Sequence, residues 1–370
     1  MNKIKVLHVG KYYYPYRGGL ESGLYTFINE LKDKLEIQIL VSNTKCKTVI
    51  EKDSNLTIIR LANFGKIFSQ PITPTLFFWI KRLKADIVHL HLPNPLAMVF
   101  YLIIRPPGKL LISYHADIVK QKIAMIFLKP LLIRLLQKAD AIVVSSNNLI
   151  ILSPMLKEFR AKCHIIPYGI DINKFEATPW IQEESGKIKS TINKPILLFV
   201  GRLVYYKGLK YLIRAMKNIN AKLIIIGDGP LRFKLRIWAK LLGVNHKILW
   251  LGEVSEKMLP VYYHTCDLFV LPSCYNSESF GIVQLEAFAC RKPVVSTALP
   301  TGVTFVNLND QTGLSVAPRN YRALADAINR LLESPQLCKI YGQNGRERVE
   351  KEFNKEKIAQ KLLKVCEGIL

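Results

Sequence analysis

Short apolar runs alternate along the chain with longer stretches in which apolar residues recur at helical spacing, the rhythm of β-α repetition around parallel sheets. In the first half KIKVLHVG, EIQILV, NLTIIRL, DIVHLH, KLLISY, AIVVSS and CHIIP predict strands, and the pattern restarts with KPILLFVG, AKLIIIG, HKILWLG, DLFVLP and KPVVST. The expected fold class is α/β, two doubly wound parallel-sheet units. Between them residues 171–194 are polar, poor in aliphatic periodicity and hold Pro179 and Gly186, which reads as an interdomain linker with the boundary near residue 190. That division gives a first domain over 1–170, a second over 195–352, and helical material from about Tyr321 onward. The last helix, 353–370, carries Ile358, Leu362, Val365 and Ile369 on one face and is expected to pack on a domain surface, the first domain being a candidate.

Length and composition agree with two ordinary globular domains: 370 residues, 49% hydrophobic and 22% charged, with 20 Gly and 19 Pro, exclude disordered, collagen-like and low-complexity chains. Charge changes the picture more. Residues 1–194 hold 28 Lys and Arg against 14 Asp and Glu and the remainder 25 against 14, so the net +25 is spread over both halves. Such a surface favours an anionic partner: nucleic acid, a phosphorylated small molecule or an acidic membrane face. The seven Cys are scattered without C-x-x-C, which points to neither a disulfide framework nor a zinc site and suits a reducing, cytoplasmic compartment. MNKIKVLHVGKYYYP reads as a first strand rather than a signal peptide. The uncharged run Ile87 to Ile104 contains His89, His91, Pro93, Asn94 and Pro95, and reads as strand, turn and buried helix rather than a membrane span.

Candidate chemistry sits where strands end. After the first strand, Gly18 and Gly19 precede Leu20 and Glu21 at the start of a helix, offering backbone N–H groups to an anion, although a tight turn explains the glycines equally. The second half opens with Gly201-Arg202 and Lys207-Gly208, two cations at a strand's carboxyl end, where doubly wound sheets bind ligands. Gly227-Asp228-Gly229-Pro230 forms a turn at the same edge. Glu278, then Phe280, Gly281 and Ile282, then Glu286 place one carboxylate on each side of a helix N-terminus that could hold a diphosphate. His115 and Asp117 end the fifth strand, whereas His89 and His91 are read as structural residues directed to opposite faces of their strand, unable to share a metal. No Asp-x-Asp follows a strand, so side-chain cations rather than a metal are expected to neutralise a diphosphate.

Taken in order, Gly18-Gly19, His115, Gly201-Arg202 with Lys207-Gly208, Gly227-Asp228-Gly229-Pro230 and the pair Glu278, Glu286 resemble the retaining glycosyltransferases of family 4, of GT-B fold, over almost the whole chain. HLHLPNPLA, SYHADIVKQK and STALPTGVTFVN more narrowly resemble bacterial mannosyl- and rhamnosyltransferases of surface polysaccharide synthesis. The resemblance implies two Rossmann-like domains facing a cleft, with a nucleoside diphosphate sugar held mainly by the second and a lipid-linked or saccharide acceptor by the first. It assigns the diphosphate to Arg202, Lys207 and the backbone N–H groups of Gly19, Phe280, Gly281 and Ile282. Sugar hydroxyls go to Glu278, ribose to Glu286, the base to backbone near Val254, the donor sugar to His115, and Asp117 either orients that histidine or meets the acceptor. Gly227 belongs to the same binding edge. GDP-mannose is the favoured donor, metal-independent transfer with retention the implied reaction, and a uridine donor or a nucleotide-sugar epimerase the alternative. A nucleic-acid-binding protein is disfavoured because the charge is not clustered on one element. Residues 119–138, with Lys120, Lys122, Lys129, Arg134 and Lys138 and no acid, suit a helix at an anionic lipid interface, so a peripheral position on the inner face of the cytoplasmic membrane is expected.

Overall fold

The computed structural model describes residues 3–16, 18–67, 70–117 and 122–370, leaving aside the side chains of 122–125 and 127. Along the chain come β1 (Lys5–Val9), α1 (Gly19–Leu31), β2 (Glu36–Ser42), β3 (Val49–Asp53), β4 (Leu56–Leu61), the short pair β5 (Lys66–Ile67) and β6 (Gln70–Pro71), and α2 (Leu76–Arg82). Next are β7 (Ile87–Leu92), α3 (Pro95–Ile104), β8 (Lys109–Tyr114), α4 (Lys122–Lys138), β9 (Ala141–Val144), α5 (Asn147–Leu152), β10 (Cys163–Ile165) and α6 (Pro179–Ser190). The second half holds β11 (Ile196–Val200), α7 (Leu209–Ala215), β12 (Lys222–Ile226), α8 (Arg232–Leu241), β13 (Ile248–Gly252), α9 (Leu259–Thr265), β14 (Leu268–Leu271) and α10 (Val283–Ala289). It closes with β15 (Val294–Thr297), α11 (Gly302–Val306), β16 (Gly313–Val316), α12 (Tyr321–Leu332), α13 (Pro335–Glu352) and α14 (Lys355–Gly368).

The chain divides into two compact units, residues 1–169 with 355–370, and residues 170–354. In the first, the strand order is β10-β9-β8-β7-β1-β2-β4-β3, parallel except for β3, which pairs antiparallel with β4. In the second, the order β13-β12-β11-β14-β15-β16 is parallel throughout. Strands β1–β4 of the first unit and β11–β13 of the second run outward one way and later strands the other, so the order reverses between β1 and β7 and again between β11 and β14. Those are the positions where strand carboxyl ends open a crevice for ligands. Helices cover both faces of each sheet, which is why β9, β11 and β14 are buried along their whole length and read as unbroken apolar runs.

Three departures from the sequence reading have physical causes. β3 (VIEKD) is exposed at every position, so an edge strand is formed by backbone pairing that leaves no apolar signature. β16 (GLSV) is too short and polar to stand out and forms by pairing with β15. Residues 171–194 are not a linker. Thr178 caps α6 by accepting from the Ile181 N–H with Pro179 in the first turn, Phe175 and Ile181 are buried, and the segment belongs to the second unit. Phe175 stacks edge-on to Tyr263 at 5.9 Å, and the buried Arg346 guanidinium pairs with Glu176 and donates to the Ala289 carbonyl at 2.7 Å. The exposed Lys174, Glu183, Lys187 and Lys189 are its solvent face.

The first unit recovers the chain's end: Ile358, Ala359, Leu362 and Cys366 of α14 share a core with Leu24, Ile28 and Leu31 of α1, and Lys355 pairs with Glu30 at 3.0 Å. Of the basic segment proposed for a lipid interface, 119–121 lie outside the described residues. In the rest of α4, Leu132, Leu135 and Leu136 are buried in the core while Ile126, Lys129, Arg134 and Lys138 are exposed.

Candidate active site

In the second unit the strand reversal brings the ends of β11 and β14 together, and with them Lys207, Glu278 and Glu286. Gly208 holds the turn after Lys207 at φ +68°, and a Cβ there would lie 1.9 Å from the Pro272 carbonyl oxygen, so the turn can approach β14's end only as glycine. Lys207 is 8% exposed and its Nζ sits 2.7 Å from Glu278 Oε2, which also accepts from Ser273 Oγ at 2.7 Å. Burial alone would lower the Lys207 pKa; the Glu278 carboxylate overcomes that and leaves it raised. Glu278 is itself pinned through its backbone, whose carbonyl accepts from Thr301 Oγ1 at 2.8 Å.

Glu286, on α10, accepts from Tyr263 OH at 2.6 Å, and burial raises its pKa against that bond and the nearby Lys207 charge. Phe280 is buried, Gly281 takes φ +77°, and Ile282 is half-buried immediately before α10, so the three backbone N–H groups of the expected diphosphate loop lie between the two carboxylates in sequence. The helix begins at Val283 rather than at Gly281, because the left-handed glycine cannot lie within it. At β12's end Gly227 adopts φ +121° with room for no side chain: a Cβ would lie 2.2 Å from the Gly201 carbonyl oxygen. Leu203 N–H bonds the Asp228 carbonyl at 2.8 Å across the same two loops, with Arg202 exposed beside it and Val254 half-buried in the loop after β13.

The first unit places its candidates around β1, β7 and β8. The Glu21 carboxylate folds back over Gly18 at the start of α1, with Gly19 exposed beside it, and burial raises its pKa against a bond from its own backbone N–H. An acid therefore already lies where an external anion was expected. Asp117 accepts from Tyr114 OH at 2.6 Å and Ser153 Oγ at 2.7 Å, so it ties β8's end to the turn after α5 and does not orient His115. His115 instead uses both ring nitrogens within a row of imidazoles: Nδ1 meets Tyr168 OH at 2.6 Å and Nε2 meets His91 Nδ1 at 3.3 Å. His91 Nε2 in turn meets His8 Nδ1 at 3.2 Å, while His89 Nε2 meets Ser113 Oγ at 2.8 Å. Burial lowers the pKa of His8 to about 3 and of His115 to about 4, and holds His89 and His91 well below the usual value, so the row is neutral. The expectation that His89 and His91 face opposite ways is wrong. Residues two apart on a strand share a face, and their ring centroids are 4.4 Å apart.

Known proteins decide what this architecture belongs to. The family model described as "Glycosyltransferase Family 4" matches residues 17–174, and that described as "Glycosyl transferases group 1" matches 181–348. An O-antigen chain mannosyltransferase C of Escherichia coli is 30% identical over 357 residues, covering 95% of this chain and 94% of that protein. The chain belongs to glycosyltransferase family 4.

The glycosyltransferase is also 31% identical to the D-rhamnosyltransferase WbpZ of Pseudomonas aeruginosa over 73% of its own length and 70% of the relative's. Among solved structures it superposes on a sucrose-phosphate synthase of Thermosynechococcus elongatus with TM-score 0.82 at 22% identity, covering 99% of each chain. HepE of Anabaena, solved in complex with UDP-glucose, gives 0.79 at 19% identity over 99% of this chain and 100% of that one, so the fold is GT-B. Sequence reasoning on this glycosyltransferase missed Tyr263, Ser273, Thr301 and Tyr168, whose partners are 5 to 53 residues away and carry no local motif. The histidine row had a signal: H-x-H on a predicted strand already implies one face.

Proposed function

We propose that this family 4 enzyme moves a hexose, mannose from GDP-mannose in the favoured reading, with retention onto a lipid-linked or saccharide acceptor in O-antigen or exopolysaccharide synthesis. The observation that carries the reading is the buried Lys207 paired with Glu278 at 2.7 Å, within electrostatic reach of Glu286, at the second sheet's strand reversal. The donor's diphosphate draws the Lys207 charge and is met by Arg202 and by the N–H groups of Phe280, Gly281 and Ile282, while the sugar's hydroxyls take the Glu278 oxygens that Lys207 releases. As the bond from the anomeric carbon to the diphosphate oxygen breaks, negative charge grows on that oxygen and these preorganised cations stabilise it. The acceptor hydroxyl attacks from the same face, and its proton passes to the departing phosphate oxygen. Glu286 binds the ribose and backbone near Val254 the base. The names of the Escherichia coli and Pseudomonas aeruginosa relatives favour mannose or a related deoxyhexose as the transferred sugar.

In this reading Arg202 and Lys207 neutralise the diphosphate, so transfer proceeds without added Mg²⁺ or Mn²⁺. No helix among the described residues is long and apolar enough to cross a membrane, and the exposed Lys129, Arg134 and Lys138 beside Ile126 suit peripheral attachment to an anionic inner leaflet. The test is a thermal-shift and hydrolysis panel of GDP-, UDP-, ADP- and dTDP-sugars, followed by assignment of the product's anomeric configuration by NMR. GDP-mannose should give the largest shift and a product that keeps the donor's configuration. A preference for a UDP-sugar would overturn the donor, an inverted product the mechanism, and stimulation by Mn²⁺ the cation assignment.

A further inference from the structure

The buried histidines of the first unit do more than the transfer chemistry asks of them. His8 and His89 are register partners on the neighbouring strands β1 and β7, and His91 lies two residues beyond His89 on the same face. That face is the one packed under α1, where Val6, Ile87 and Leu111 alternate with the imidazoles and Leu24 and Ile28 close over them. A cross-strand pair plus a neighbour at i+2 brings three rings to one point. One nitrogen from each of His8, His89 and His91 lies within 4.8 Å of the other two, and His8 Nδ1 and His91 Nε2 are 3.2 Å apart. The His8–His91 separation is close to the edge of a tetrahedron of nitrogen ligands about 2.1 Å from a metal, and His89 lies near enough to close on the same ion.

A second observation points inward. His89 is 1% exposed, its Nε2 is bonded to Ser113, and its Nδ1 is buried without a partner. A buried nitrogen left unbonded is costly, and a ligand would satisfy it.

We propose that His8, His89 and His91 form a binding site for one borderline divalent transition ion, such as Zn²⁺, behind His115. Three neutral nitrogens suit Zn²⁺, Co²⁺ or Ni²⁺ and reject the hard Mg²⁺ and Mn²⁺, so this ion is distinct from any diphosphate-bound metal. His8 binds through Nδ1, His91 through Nε2 and His89 through its unbonded Nδ1. No proton is released. The hydrogen shared between His8 and His91 moves to His8 Nε2, His89 keeps Nε2–H toward Ser113, and His91 keeps Nδ1–H, which donates to His115 Nε2. His115 then carries its proton on Nδ1, directed at the Tyr168 oxygen. The ion thereby fixes the tautomer of His115 through His91, the usual part of a ligand's outer partners run in reverse.

The test uses the full-length protein, stripped with a chelator and desalted. Adding Co²⁺ should give the intense visible band of a four-coordinate ion, held by the three imidazoles and one water, at one equivalent per chain, and Zn²⁺ should abolish that band and raise the melting temperature. His89→Asn should remove the band. Ser113→Ala, which leaves every ligand in place, should weaken Zn²⁺ binding about 10- to 100-fold. Replacing the exposed His164 and His246 with Gln should change nothing. The proposal fails if Co²⁺ gives no such band, if the band survives His89→Asn, if Ser113→Ala binds as wild type, or if the band is lost with His164 or His246. Should His89→Asn not fold, the Ser113→Ala affinity decides. None of these readouts depends on which sugar is transferred.

Discussion

Replacing Lys207 with Met tests the centre of the candidate active site, because it keeps the side chain's volume and removes its charge. The Glu278 carboxylate, 6% exposed, would then keep the Ser273 bond at 2.7 Å but lose the cation at the same distance. Removing one partner of a buried ion pair costs about 3–5 kcal/mol, chiefly because the remaining charge stays desolvated. The retained Ser273 bond argues for the lower end, about 3 kcal/mol. In a folding unit of 150–250 residues, each kcal/mol lowers the melting temperature by about 2–4 °C, so the variant should melt roughly 6–12 °C below wild type. The double variant Lys207→Met/Glu278→Gln leaves neither member of the pair charged, lets the amide oxygen accept from Ser273, and should recover most of that loss while transfer stays reduced by about 100-fold or more. Differential scanning fluorimetry on the full chain, with transfer assayed in parallel, separates the two effects. A single variant within about 2 °C of wild type, or a double variant whose loss is the sum of both singles, would refute the claim that the pair is energetically coupled.

Four further outcomes follow from the geometry. Because burial raises the Glu286 pKa above the ordinary carboxylate value, its ionised form is lost early on acidification, so nucleotide affinity should fall at a higher pH than an ordinary carboxylate would impose, and Glu286→Gln should bind weakly with a flat profile in isothermal titration. Gly208→Ala, forced to φ +68° against the Pro272 carbonyl, should lower the melting temperature by several degrees and displace Lys207, cutting turnover with it. Arg346→Ala removes the donor to the Ala289 carbonyl and the tie to Glu176, and should cost about 2 kcal/mol in urea unfolding; an unchanged midpoint would mean the 171–194 segment is held by Phe175 and Ile181 alone. Lys129, Arg134 and Lys138 changed together to Gln should reduce pelleting with anionic liposomes at low salt and leave donor hydrolysis unchanged, with equal pelleting counting against a lipid role for α4.

By itself, the sequence determined whatever depends on a residue's near neighbours. Strands buried on both faces, such as β11 and β14, must be apolar throughout, and the glycines and charges at their ends mark turns whose geometry is local, so the two sheets and the loops carrying Arg202, Lys207, Glu278 and Glu286 were legible. Tertiary structure decided how those groups use one another. Lys207 and Glu278 are 71 residues apart, and only the strand reversal between β11 and β14 makes them a buried pair rather than two independent ligand contacts. The same holds for His8 and His91, 83 residues apart, which meet because β1 and β7 are adjacent. Residues 171–194 show the converse. Their polarity is real, but Phe175, Ile181 and Arg346 fix them in the second unit, because a few buried side chains outweigh many solvated ones in deciding where a segment packs.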